Sequence, residues 1–247
     1  MSRRVALVCN ANSYVGPPLA RLLAARGHDL VVGDPAEGLV GELEAAGATV
    51  EPVTGVGDLR QRSSADRLVG AALDRFGRLD SATWFTGRVF VGTVVGSDES
   101  VLHNNYEGNL LAPFHALQAT LTPMCEQGSG QVLLITSSAG LKPTKGAGLY
   151  SATRAAANML ARNAAAEVAS NGVQVNVVGT NFMDFPEFLR ASGASDPAVR
   201  ARIEASVPLG RLGGLDEFAH LCAVFVDGTA RFQTGQVVGF DGGWSGV

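Results

Sequence analysis

Val5-Ala6-Leu7-Val8-Cys9-Asn10-Ala11-Asn12-Ser13-Tyr14-Val15-Gly16-Pro17-Pro18 decides the fold of this chain. Val5 to Val8 is a short unbroken apolar run, as expected of a strand covered on both faces in a parallel sheet. A polar loop follows. Pro17-Pro18 then stands where a helix begins, a place where a missing backbone N–H costs little. Strand, loop and helix in this order make the first half of a βαβ unit.

The alternation continues to the C-terminus. Strand-like runs lie at residues 5–8, 30–32, 49–53, 81–85, 132–136, 173–178 and 236–240. Helical patterns lie at 17–26, 37–46, 64–76, 99–126, 149–170 and 215–226. Right-handed crossovers between such elements predict a Rossmann-like α/β fold: a doubly wound, seven-stranded parallel sheet with helices on both faces. With no linker or repeat in the sequence, residues 1–247 are expected to form one domain. The segment 181–208 interrupts the pattern with Phe182, Phe185, Pro186 and Phe188, and is expected to be a loop with short helices covering a site. The alanine-dense helix at 149–170 suits close helix–helix approach and, equally, simple helix propensity.

Composition narrows the classes of function. The chain is 46% hydrophobic and 17% charged, with a formal net charge of −4, which gives no basic footprint for nucleic acid. No apolar run is long enough for a signal sequence or a membrane span. Cys9, Cys125 and Cys222 are far apart and odd in number, which suits free thiols in the cytoplasm better than disulfides or zinc. The four histidines show no ligand spacing.

A loop between a first strand and a first helix holds dinucleotide phosphates when glycines let the backbone approach them. Here the loop keeps Gly16 but carries Tyr14, whose ring needs space that phosphates would occupy. Pro17-Pro18 also removes N–H donors from the helix end. Asp34 could bind a ribose, but Asp34-Pro35-Ala36-Glu37 fits a helix N-cap with a capping-box glutamate better. Trp84-Phe85-Thr86-Gly87 puts bulky aromatics after the fourth strand.

Chemistry concentrates downstream. Ser137 ends the fifth strand, Tyr150 follows thirteen residues later at a helix start, and Arg154 lies one turn beyond it on the same face. A guanidinium beside a phenol stabilises the phenolate, and arginine does not shuttle protons as lysine can. Ser137 can hydrogen-bond a substrate oxygen.

These residues carry a resemblance. The whole chain resembles the short-chain dehydrogenases/reductases, down to Pro208-Leu209-Gly210-Arg211-Leu212 and Asp241-Gly242-Gly243. Within them it is similar to the halohydrin dehalogenases, through Ser137, Tyr150 and Arg154 in an S-x12-Y-x3-R pattern and through Tyr14 and Gly16 in the loop, with Cys9 replacing a threonine. The resemblance implies a lyase that uses no cofactor and assembles as a homotetramer. Its partners would be a small-molecule halohydrin or epoxide and a halide or other small anion such as azide, cyanide or nitrite. Tyr150 would deprotonate the substrate hydroxyl while Ser137 holds its oxygen. The departing halide would rest on the N–H groups of Phe182 and Met183, walled by Tyr14 and Asn181. Trp84, Phe85, Leu141 and Phe185 are expected to shape the substrate pocket. The alternative is an NAD(P)(H)-dependent short-chain oxidoreductase with a divergent nucleotide loop. Asn109 supports it by matching the helix asparagine of the dehydrogenase proton relay. Trp244 is expected either in the core or at a neighbouring subunit.

Overall fold

The computed structural model describes residues 3–246. Seven parallel strands form one sheet in the order β3-β2-β1-β4-β5-β6-β7. They are β1 (Arg4–Val8), β2 (His28–Gly33), β3 (Val50–Val53), β4 (Ser81–Phe85), β5 (Gly130–Ser137), β6 (Val173–Thr180) and β7 (Val237–Phe240). The helices are α1 (Gly16–Ala25), α2 (Leu39–Ala45), α3 (Arg62–Phe76), α4 (Glu99–Tyr106), α5 (Ala112–Gln127), α6 (Gly148–Val168), α7 (Pro186–Ser192), α8 (Pro197–Glu204) and α9 (Leu215–Val226). This is the expected doubly wound architecture. The strand order reverses between β1 and β4, which opens a crevice at the carboxyl ends of the strands.

Each central strand is apolar on both sides because both faces are covered. Leu133 belongs to the core on one face, with Leu19 of α1 and Phe218 of α9, while its neighbour Leu134 belongs to the core on the other, with Leu68 of α3 and Leu117 of α5. Among the described residues no helix is long and apolar enough to cross a membrane, and no His, Cys, Asp and Glu cluster could hold a metal. All three cysteines are free thiols, and burial pushes that of Cys9 up to about 12.

Three local expectations are corrected. The single helix expected over 99–126 is divided by a π turn, Glu107–Leu111, between α4 and α5. Asp34 does not cap a helix; α2 starts only at Leu39, after Gly38. Asp34 instead takes a left-handed conformation (φ 42°), and its carboxylate accepts from the N–H groups of Gly55 (2.5 Å) and Val56 (3.1 Å) beyond β3. Trp84 has no exposed surface with which to shape a substrate pocket. It is fully buried under α5, with its indole N–H donated to Thr120 Oγ1 at 3.1 Å. An unbroken apolar strand carries no period to show which face each residue takes.

His28 gives the fold a pH dependence. It is buried, its Nδ1 lies 3.1 Å from the Leu23 carbonyl oxygen, and among the described residues its Nε2 has no hydrogen-bond partner. Burial first, then the nearby Arg4 cation, lower its pKa, so the fold holds the neutral ring. The unfolded chain takes up the proton below about pH 6.5, and stability falls as pH drops from there toward the lower folded-state value. His28→Gln is expected to lessen the fall in melting temperature between about pH 7.5 and about pH 5.5. An identical fall in both proteins contradicts this.

Candidate active site

β5 ends on Ser137, which pairs in register with Thr180 at the end of β6. A 3-10 turn, Ser138–Gly140, carries the chain from Ser137 toward α6. Ser138 is spent structurally, donating its hydroxyl to the Gly179 carbonyl oxygen (3.0 Å). Among the described residues Ser137 Oγ accepts only from the Ala139 N–H (3.2 Å), so its own proton remains available to a ligand. The turn is fastened to α6 by Ser151, whose hydroxyl donates to the Ala139 carbonyl oxygen, and by Asn158, which accepts from Thr136 Oγ1 (2.8 Å) and donates to the Gly140 carbonyl oxygen (3.3 Å). Only glycine fits at Gly140, where a Cβ would lie 2.8 Å from the backbone of Arg154 in α6.

Tyr150 and Arg154 lie on the inner face of α6, both buried. Arg154 Nε donates to the Tyr150 hydroxyl at 3.1 Å, and its guanidinium carbon sits 5.2 Å from the ring centroid. Nη1 donates to the Thr86 carbonyl oxygen at 2.6 Å. Among the described residues no carboxylate pairs with Arg154. A buried cation with no counter-ion therefore adjoins the phenol oxygen. Gly87 makes room for it: a Cβ there would overlap the guanidinium, and φ is +124°. Gly87→Ala is expected to expel Arg154 and lower turnover about a hundredfold without altering Tyr150, since misplacement of this order at a site costs that much. Unchanged kcat in a folded Gly87→Ala protein contradicts the cradle.

Asn109 lies in the π turn, fully buried. Its side chain accepts from the Arg88 N–H (3.0 Å) and donates to Asn105 Oδ1 (3.0 Å) and Thr153 Oγ1 (3.1 Å). It thus ties the loop after β4 to α4 and α6. π turns of this kind often mark functional sites.

Tyr14 lies on the other side of the crevice, in a left-handed conformation (φ 55°) that bulky residues rarely adopt. Its hydroxyl donates to Thr180 Oγ1 at 2.8 Å, and its ring centroid is 4.7 Å from Phe185, 5.6 Å from Phe218 and 6.4 Å from Phe85. Burial raises its pKa, so the phenol stays neutral. Gly16 is required for a packing reason, because a Cβ would overlap the Asn10 carbonyl group.

The loop after β6 is closed on itself. Phe182 is left-handed (φ 54°), and its N–H is donated to Asn181 Oδ1 at 3.0 Å. Met183 is buried opposite Gly213. The expected seat for an anion on the Phe182 N–H is therefore already occupied by an amide oxygen of the chain itself. Leu141 is half-buried beside Gly239, Phe85 borders the crevice, and Trp244 packs edge-on to Phe182 at 5.6 Å. Of the residues that build the site, the sequence reading did not single out Thr86, Asn158 and Thr180. Asn158 had a signal, since 150, 154 and 158 are spaced by four on α6. Thr86 acts through its carbonyl group, which leaves no trace in residue type.

A family model described as enoyl-(acyl carrier protein) reductase matches residues 10–245. The chain belongs to the short-chain dehydrogenase/reductase superfamily. It is 32% identical to a cis-4-hydroxycyclohexanecarboxylate dehydrogenase of Sinomonas cyclohexanicum, over 100% of this chain and 98% of the relative. It is 27% identical to a 2,5-dichloro-2,5-cyclohexadiene-1,4-diol dehydrogenase of Sphingobium indicum, over 99% and 97%. Among solved structures, actinorhodin polyketide ketoreductase with NADPH superposes with a TM-score of 0.87 at 26% identity, covering 99% of this chain and 98% of that one.

These relatives of the short-chain dehydrogenase/reductase chain overturn the expected dehalogenase chemistry. The relatives named above, matched over nearly the whole chain, are two dehydrogenases and a ketoreductase, and the ketoreductase structure carries NADPH. The lyase assignment and the expectation of cofactor-independent turnover are both withdrawn. The anion role given to Tyr14, Asn181, Phe182 and Met183 depended on that chemistry and goes no further. Arg154 and Tyr14 are two local departures, and a match that spans the chain outweighs them.

Proposed function

We propose that this protein is an NAD(P)(H)-dependent oxidoreductase that interconverts an alcohol and its carbonyl compound, with Tyr150 moving the hydroxyl proton. The observation that carries this is the full-length 32% identity to a dehydrogenase of a hydroxylated ring carboxylate. The geometry supports the proton-transfer half. Ser137 holds the substrate oxygen, Tyr150 exchanges its proton, and the unpaired Arg154 guanidinium stabilises negative charge that develops on the phenol oxygen.

The crevice does not fit an extended dinucleotide with Tyr14 where it stands. The ring bridges the carboxyl ends of β1 and β6 through its bond to Thr180. The α1 end offers little in compensation: Pro17 and Pro18 have no N–H, and Gly16 and Leu19 donate to Ser13 and Val15. Toward β3 and β4 a cavity of about 320 Å³, bordered by Asp58, Arg60, Phe85 and Arg88, remains. In this proposal Tyr14 leaves its aromatic nest when the nucleotide binds.

The test is turnover of cyclic secondary alcohols with NAD+ and NADP+, and of the corresponding ketones with the reduced forms. Substrate-dependent change in nucleotide absorbance supports the proposal. Its absence for every alcohol and ketone tried, with folded protein, removes it. The proposal extends to a homo-oligomer in the cytoplasm, supported by a groove of about 520 Å³ between α5 and α6 with Phe114 and Leu121 on its walls, and by three free thiols. Phe114→Asp is expected to lower the sedimentation coefficient; an unchanged value contradicts assembly through that face.

A further inference from the structure

The chain has two lysines, Lys142 and Lys145, and both lie in the loop that leads from Ser137 to Tyr150. Among the described residues the basic side chains in ion pairs are arginines and one histidine, His103. Lys142 is half-buried and, among the described residues, has no carboxylate partner. Its ammonium lies 4.2 Å above the Trp244 ring and donates to the Trp244 carbonyl oxygen. A π-face and one carbonyl oxygen leave further N–H donors unmet and supply no counter-ion. A half-buried ammonium in that state gains from a counter-ion supplied by a ligand.

A chain of aromatic rings leads away from this charge. Trp244 meets Phe182 at 5.6 Å, Phe182 meets Phe188 at 6.5 Å, and Phe188 meets Phe185 at 6.3 Å, which itself packs on Tyr14. An aromatic wall thus runs from the nucleotide loop to the lysine. Ser137 and Lys142 are five residues apart, three of the intervening ones in a 3-10 turn, which sets their Cα atoms on the order of 10 Å apart. That separation suits a molecule one ring across.

We propose that Lys142 is a specificity-determining residue that selects substrates carrying a carboxylate about a ring's width from the reacting carbon. The proposal rests on Ser137 and Tyr150 as the reacting end of the site. The carboxylate accepts from the Lys142 ammonium, and the apolar ring lies against the aromatic wall.

Two measurements test it. The first needs no turnover: calorimetric titration with cyclohexanecarboxylate and, in parallel, with cyclohexanol. The carboxylate is expected to bind at least about tenfold more tightly, the usual size for a charge-assisted hydrogen bond. Lys142→Met is expected to remove that preference, Lys142→Arg to keep it, and Trp244→Phe to keep it as well. The second is the KM for a ring ketone with and without a carboxylate. Lys142→Met is expected to raise only the former, about tenfold, with kcat for the neutral ketone unchanged. Equal binding of acid and alcohol by the wild-type protein overturns the proposal. So does an equal change for both ketones, which would make Lys142 a clasp for the C-terminal segment and nothing more. If the acid binds through Lys142 but no alcohol or ketone turns over, the anion site stands and the oxidoreductase assignment fails.

Discussion

Tyr150→Phe is expected to lower kcat about a thousandfold while leaving the fold intact. The ring stays, so the packing of Ala139, Ala147 and residue 150 is preserved. Only the oxygen is lost, and with it the group that exchanges a proton with substrate; positioned acid–base groups contribute about 10²- to 10⁴-fold. Arg154 then loses one of its two hydrogen-bond acceptors but keeps the Thr86 carbonyl oxygen. Stability should therefore fall by about 1 to 3 kcal/mol, the penalty for leaving a buried donor unmet. The check is kcat together with a thermal melt. Near-normal kcat in the variant would show that Tyr150 does not transfer the proton.

Tyr14→Gly is expected to tighten NAD(P)H binding by about 30- to 100-fold. In the wild-type protein the nucleotide must first displace a ring held by Thr180 Oγ1 and three aromatic neighbours. Losing one hydrogen bond and part of a buried ring's packing costs about 2 to 3 kcal/mol, which weakens the apparent affinity by that amount. Glycine removes that cost and adopts the left-handed backbone of residue 14 without strain. The variant should also melt lower, because the aromatic nest loses its central ring. Fluorescence titration of both proteins provides the check. Equal affinities would mean that the ring does not stand in the nucleotide's way.

The architecture was legible because a parallel sheet leaves long-lived traces in sequence. Strands such as Leu133-Leu134-Ile135 are apolar on both faces, and the helices between them keep their own period. Ser137, Tyr150 and Arg154 could be placed together for the same reason, since strand ends and helix starts fix them. Asp34 was harder. Its cap-like context, Asp34-Pro35-Ala36-Glu37, describes a local preference, whereas contacts with Gly55 and Val56, 21 and 22 residues away, decide its conformation. The π turn at Asn109 inserts one extra residue into a helical pattern and scarcely disturbs its hydrophobic period. The Lys142–Trp244 contact joins residues 102 apart, beyond any local pattern. The chemistry was misjudged through Tyr14 and Arg154. Their side chains are conspicuous, but a substitution at one loop and one helix turn describes two positions, and the relatives describe the chain.

The most direct measurement is formation of NADH or NADPH from a carboxylated cyclic secondary alcohol, with wild-type and Tyr150→Phe proteins side by side. Alcohol-dependent nucleotide reduction by the wild-type protein, lost in the variant, is the expected result. No nucleotide reduction by a folded wild-type protein, or equal rates in both, would contradict the assignment.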